Sequence, residues 1–137
     1  MNGRRRVVVT GLGIVSPVGN DIATAWTHLT AGKSGVSRIT RFDASSFRTQ
    51  IAGEVKDFEP ERFIDKKEIK KMDLFIQYAM AAAQFAMEDS GFTITDENAE
   101  RVGVLVGAGL GGLPTIEKYH AALLESGYKK ISPFFIP

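Results

Sequence analysis

Val102–Leu113 reads VGVLVGAGLGGL. A β-branched apolar run breaks into glycine, and Gly107, Gly109 and Gly112 spell G-x-G-x-x-G. The run Val102–Val106 predicts a strand buried on both faces, as parallel strands are. Pro114 suits the first turn of a helix that continues to about Ser126, where Gly127 ends it. Strand, glycine loop and helix, in that order, form the local setting in which a dinucleotide's phosphates are bound. That function also needs a second strand ending in an acidic residue about 20 positions on, to hold the ribose hydroxyls. After Gly112 the acidic candidates are Glu117 and Glu125, both inside the predicted helix, and the basic pair Lys129-Lys130 stands where an acid is wanted. The other glycine turn, Gly11-Leu12-Gly13, has Ser16 where a third glycine belongs. The competing reading is mechanical: glycine lets the backbone turn sharply and pack closely.

Outward from this loop, the chain alternates strand and helix signals. Val7–Thr10 predicts another buried strand. Arg4-Arg5-Arg6 before it gives the look of a secretory signal, but Thr10, Gly11 and Gly13 interrupt the apolar run and no A-x-A cleavage site follows. Asn20 or Asp21 caps a helix through about Gly32, with an apolar stripe of Ile22, Ala25, Trp26 and Leu29. Val36–Arg48 reads as irregular, and Gln50–Val55 as a short strand. Asp65 with Glu68 resembles a capping box for one long helix. Ile69, Met72, Ile76, Ala79 or Met80, Ala83 and Met87 recur along it at helical spacing. Ser90-Gly91 ends it, and Thr95–Glu100 forms a short capped turn.

Composition narrows the function classes. The 137 residues are 44% hydrophobic and 24% charged, as in one globular α/β domain. A net charge of +1 implies no nucleic acid partner. No run of about eighteen apolar residues exists, so no membrane span is expected. With no cysteine, disulfides, zinc–thiolate sites and a cysteine nucleophile within this chain are excluded, in agreement with a reducing compartment. His28 and His120 share no ligand spacing, so each reads as a surface or packing residue and no metal is expected. Phe134, Phe135 and Ile136 make an apolar terminus without a visible partner. With two buried strands that need neighbours, this suggests a piece of something longer.

Several stretches together resemble a known family. These are RRVVVTGLGIVSPVGN at 5–20, GKSGV at 32–36, IQYAMAAAQFAMEDSG at 76–91, the glycine loop and KISPFFIP at the end. In that order they resemble the N-terminal part of β-ketoacyl-[acyl-carrier-protein] synthase II, the elongating condensing enzyme of bacterial fatty acid synthesis. The resemblance implies an α/β thiolase-like fold, layered αβαβα when complete. Residues 1–137 would be part of its N-terminal half. It implies a cytoplasmic, homodimeric acyltransferase that needs no cofactor and takes acyl and malonyl groups from acyl carrier protein. The reaction is a decarboxylating Claisen condensation on an active-site cysteine assisted by two histidines. All three lie downstream of the matched segment, so this chain carries no catalytic residue and is expected to be inactive alone.

The resemblance also assigns site residues. Gly107–Gly112 would be a turn beside the acyl pocket. Leu110 would stand at the pocket floor as an apolar gate, against the plain alternative of a packing leucine. Phe135 and Ile136 would reach across the dimer interface into the partner's pocket, or else be ordinary core residues. Lys67, Lys70, Lys71, Lys129 and Lys130 would dock the acidic carrier protein, where charge runs are otherwise solvated faces. Lys66, Lys67, Lys70 and Lys71 at i, i+4 spacing would oppose the dipole of the long helix. Two other functions stay open at this point. One is a non-catalytic fragment that docks carrier protein or dimerises. The other is a dinucleotide-binding oxidoreductase domain.

Overall fold

The computed structural model describes residues 4–135. In chain order its elements are α1 (Ile22–Thr30), β1 (Val36–Arg38), β2 (Ile51–Gly53), α2 (Lys66–Ile69), α3 (Leu74–Ser90) and α4 (Leu113–Ser126). Short 3₁₀ turns lie at Pro60–Arg62, Ala99–Arg101 and Tyr128–Lys130. β1 and β2 pair antiparallel, with Val36 opposite Gly53 and Arg38 opposite Ile51. The expected strand near residue 50 is therefore present in shortened form. Its partner β1 lies in a stretch expected to be irregular.

The helices start and stop where local chemistry directs. Asp21 Oδ1 accepts from the Thr24 amide at 2.8 Å and caps α1. Gly91, in the left-handed region at φ 62°, ends α3. Gly127 follows α4 as expected. The single long helix expected from Asp65 to Ser90 is instead broken between Ile69 and Leu74. Asp65 makes no side-chain cap, and Glu68 pairs with Lys71 at 2.6 Å in place of closing a capping box. At the break, Asp73 caps α3 by accepting from the Leu74 amide at 2.7 Å. The carbonyls of Met72 and Ile69 accept from Gln77 Nε2 at 2.9 and 3.4 Å. Gln77 is the buried polar residue of the fold, and these bonds account for its burial. Lys66 and Lys67 open the one-turn helix α2, and Lys70 stands at its C-terminal cap. There the helix dipole favours a cation, so the expected conflict is relieved for Lys70 and stays for Lys66 and Lys67.

α3 is the element on which the chain assembles. Phe58 and Phe63 stack at 6.1 Å, and each meets an α3 aromatic edge-on, Tyr78 at 4.9 Å and Phe85 at 5.1 Å. On an adjoining ridge the N-terminal segment lies directly on the helix backbone. A Cβ placed on Gly13 would collide with the Ala82 carbonyl, and one on Gly11 with the Ala86 carbonyl. The Leu12 amide between them donates to Asp89 Oδ2 at 2.9 Å. Gly11 and Gly13 are thus explained by helix–backbone contact, with Ala82 and Ala86 small enough to permit it.

Neither of the two expected buried strands forms. Val7–Thr10 and Val102–Val106 have no strand pairing, and Val104 and Leu105 are 85% and 98% exposed. A parallel strand draws hydrogen bonds from a neighbour and cover from both faces. Among the described residues no strand pairs with either run. The buried apolar residues are few: Ala25, Ala44, Ile64 and Ala81, the last 0% exposed against α3's neighbours. The accessible surface is 11501 Å², whereas a compact monomer of this size exposes about 7,000 Å². Val7–Val9 and Val104–Val106 are among the exposed large apolar side chains.

Gly13→Ala should lower the urea stability of the chain by about 1–3 kcal/mol, because the helix backbone cannot yield. Gly107→Ala and Gly109→Ala, where a Cβ enters open space, should change it by less than about 0.5 kcal/mol. Equal effects at all three positions would contradict the packing described. Acid should also weaken the fold. Hydrogen bonds from the Thr24 amide, the Ser45 amide and the Thr40 hydroxyl hold the carboxyls of Asp21, Asp43 and Glu54 below their ordinary values. Their stabilisation is complete above the unfolded-state values, near pH 4, and is lost as pH falls through the lowered ones. Urea midpoints should therefore be level above about pH 5 and decline below about pH 4.

Candidate functional site

The glycine loop meets α4 at Gly112, whose φ of 74° only glycine adopts freely. Gly112 has no side chain to cap the helix, and Asp73 ties the first turn through a side chain instead. Asp73 Oδ2 accepts from Thr115 Oγ1 at 2.6 Å, in the first turn of α4. The same oxygen is 3.7 Å from where a Cβ on Gly112 would stand. One carboxylate therefore joins the N-terminal ends of α3 and α4, where both dipoles favour it. A dinucleotide's pyrophosphate would have to occupy this helix end and would be repelled there. Gly107 and Gly109 approach nothing. Gly111, outside the motif, lies against the Phe75 ring at 2.8 Å from its notional Cβ. The loop is built for packing on α3, and the dinucleotide reading fails on charge.

Beside it opens a cleft of about 350 Å³, apolar along Phe75, Ile76, Ile116 and Phe135 and polar where Lys71, Asp73 and Thr115 line it. Phe135 is half-buried and meets the Tyr119 ring edge-on at 5.1 Å. Leu110 is 74% exposed and is not among the residues lining the cleft, although its neighbour Gly111 is. Ile136 lies outside the described residues. The structure thus brings Phe135 and the end of the glycine loop to one cleft and leaves Leu110 outside its lining.

The five docking lysines are exposed, and Lys71 alone among them lines this cleft. Lys67 is on α2, Lys70 at its end, and Lys71 in the following turn, lining the cleft. Lys71 is paired with Glu68 and sits 5.3 Å from the Phe134 ring centre. Lys129 and Lys130 occupy the 3₁₀ turn after α4, just before the segment carrying Phe134 and Phe135. Lys118 on α4, which sequence reasoning passed over, lines a second, smaller cleft together with Lys70 and Lys71.

The histidines stand elsewhere. His28 Nδ1 is 2.6 Å from the Val18 carbonyl and must donate to it, which leaves Nε2 to accept from Lys33 Nζ at 3.1 Å. It ties α1 to the preceding turn. His120 is exposed on α4. Among the described residues no group of three or more His, Asp or Glu could hold a metal ion.

Residues 4–137 match the family model described as the β-ketoacyl synthase N-terminal domain. The chain belongs to the β-ketoacyl synthase family. It is 61% identical over 134 residues to a 3-oxoacyl-[acyl-carrier-protein] synthase 2 of Coxiella burnetii, covering 98% of this chain and 32% of that protein. Similar proteins of the same description in Vibrio harveyi and Staphylococcus aureus are 54% and 44% identical. Among solved structures, an ishigamide ketosynthase/chain length factor is 35% identical at a TM-score of 0.77, covering 97% of this chain and 33% of the other. A type II polyketide acyl-carrier protein in complex with its ketosynthase matches at 30% and 0.75, over 96% and 34%. The fold is accordingly the N-terminal part of a thiolase-like α/β architecture. The chain spans about a third of the length of the curated relatives it matches.

Asp73 escaped sequence reasoning because Met72 and Ile76 continue the helical spacing straight across it. An aspartate ahead of a fresh apolar run is nevertheless an N-cap signal. Replacing Asp73 by Ala and Thr115 by Val, singly and together, should give a coupling of about 1–2 kcal/mol in urea unfolding. A coupling near zero would mean that the two helix ends are not held by this bond.

Proposed function

We propose that this chain supplies the N-terminal third of a 3-oxoacyl-[acyl-carrier-protein] synthase that elongates acyl chains. The observation that carries this reading is the 61% identity to the Coxiella burnetii protein across 98% of the chain. In the reaction, an acyl group moves from carrier-protein thioester to a cysteine thiolate. Malonyl thioester then loses carbon dioxide, and the electron pair left on carbon attacks the acyl carbonyl. A carbon–carbon bond forms and the cysteine thiolate leaves. The chain contains no cysteine, so that thiolate belongs to the remaining two thirds.

On this reading the chain's own part is recognition and shape. The side of the cleft formed by Phe75, Ile76, Ile116 and Phe135 suits a hydrocarbon chain, since it is apolar, while Lys71, Asp73 and Thr115 give the cleft a polar edge. Leu110 and Ile136 complete the pocket once the rest of the enzyme and a second subunit cover the loop and the C-terminal segment. Lys67, Lys70, Lys71, Lys129 and Lys130 dock acyl carrier protein. Each exposed ion pair contributes about 0–1 kcal/mol, so docking is weak and salt-sensitive, which suits a carrier that must leave. A cytoplasmic homodimer goes with this function. Because the lysine face lies wholly within the chain, a narrower reading also stands: the isolated chain binds carrier protein without turning it over.

The test is a chimera in which this chain replaces the matching third of the Coxiella burnetii enzyme. It should elongate acyl-carrier protein within about tenfold of the parent rate. A chimera that folds and dimerises but makes no 3-oxoacyl product would overturn the reading. The isolated chain should show no condensation with the same substrates.

A further inference from the structure

Lys70, Lys71 and Lys118 come from three places: the end of α2, the turn behind it and the second turn of α4. They line one cleft of about 110 Å³ with Thr115, Tyr119 and Ser132 among its other walls. No carboxylate lines it, in a chain that carries 17 basic and 16 acidic residues. One nearby acid already binds a member of the trio, and the others are engaged elsewhere. Glu68 pairs with Lys71. Asp73 accepts from Leu74 and Thr115. Glu117, next to Lys118, lines the separate groove of Arg41 and Tyr78. Among the described residues neither Lys70 nor Lys118 has an ion-pair partner.

Two aromatic faces lie beside ammonium groups at the rim, and because Lys71 is also ion-paired with Glu68, Lys70 and Lys118 carry the uncompensated charge. Lys118 Nζ is 5.5 Å from the Tyr119 ring centre, and Lys71 Nζ is 5.3 Å from that of Phe134. Ser132 Oγ accepts from the Phe134 amide at 3.1 Å and keeps its own proton to donate. Cations, a hydroxyl donor and no anion make a receptor for one carboxylate. The cleft shares Lys70 and Lys71 with the docking lysines, and its wall residue Ser132 follows closely in sequence on Lys129 and Lys130.

We infer that Lys118 is a specificity-determining member of the docking face, closing with Lys70 and Lys71 on a single carboxylate of the acidic carrier protein. The inference rests on the docking reading above. It adds α4 to a surface otherwise made by α2 and the last turn. It also makes the clamp depend on the Asp73–Thr115 bond that sets where α4 begins.

Labelled holo-acyl carrier protein is titrated with the 137-residue chain at about 50 mM and 200 mM salt, read by fluorescence anisotropy. Lys118→Glu should weaken binding about tenfold at low salt and flatten the salt dependence. Lys118→Met, which keeps the stem and removes the charge, should weaken it about threefold, and Lys118→Arg should restore it. Helical circular dichroism equal to that of the parent chain confirms folding for each variant. Unchanged binding in Lys118→Glu, with Lys70→Glu weakened, would overturn the inference and leave the docking reading standing. If Lys70→Glu with Lys71→Glu also binds as the parent does, or the parent does not bind, the docking reading fails as well.

Discussion

The approach of Gly11 and Gly13 to the backbone of α3 sets the spacing of everything else. Two chain segments meet there main chain to main chain, through Ala82 and Ala86, and any side chain would push them apart. Once the N-terminal segment lies on α3, the turn that follows it positions α1 through the bond from His28 to Val18. On an adjoining ridge Phe58 and Phe63 close over Tyr78 and Phe85. At the helix's beginning Asp73 fixes α4. α3 therefore works as a spine whose partners are mainly loops and turns. Small residues on one ridge and aromatics on the next give each partner its distance.

Helix ends were legible in the sequence where the determining bond is local. Asp21 and the α1 amide it caps are three residues apart, and Gly91 and Gly127 end their helices by their own backbone. Features that depend on distant residues were not. The valine-rich runs read as strands because their side chains suit a sheet interior, but a strand exists only when another chain segment lies beside it. The break before Leu74 was hidden by apolar spacing that continues through it. The deciding residues, Asp73 and Gln77, act on the backbone.

The candidate site divides the same way. The lysines could be named from the sequence, and the family resemblance gave them a partner. Their arrangement could not be read, because it depends on a helix break and on where α4 starts. Lys118 lies 47 and 48 positions from Lys71 and Lys70, too far for any pattern of spacing to link them. The glycine motif misled in the opposite direction. Two of its three glycines touch nothing, while Gly111, which the motif ignores, packs on Phe75. A motif reports which residues are present, and the charge of Asp73 decided what the loop could hold.

The large open surface has a consequence for how such a protein is made. In a protein as long as the curated relatives, this third leaves the ribosome first. At about 5–20 residues per second, the rest takes on the order of tens of seconds to follow. Throughout that interval Val104, Leu105 and the Val7–Val9 run stand bare, with unpaired backbone beside them. Such edges are templates for pairing with other chains. The covering of these runs thus depends on segments made later, so the order of synthesis sets how long they stand open to pairing with other chains.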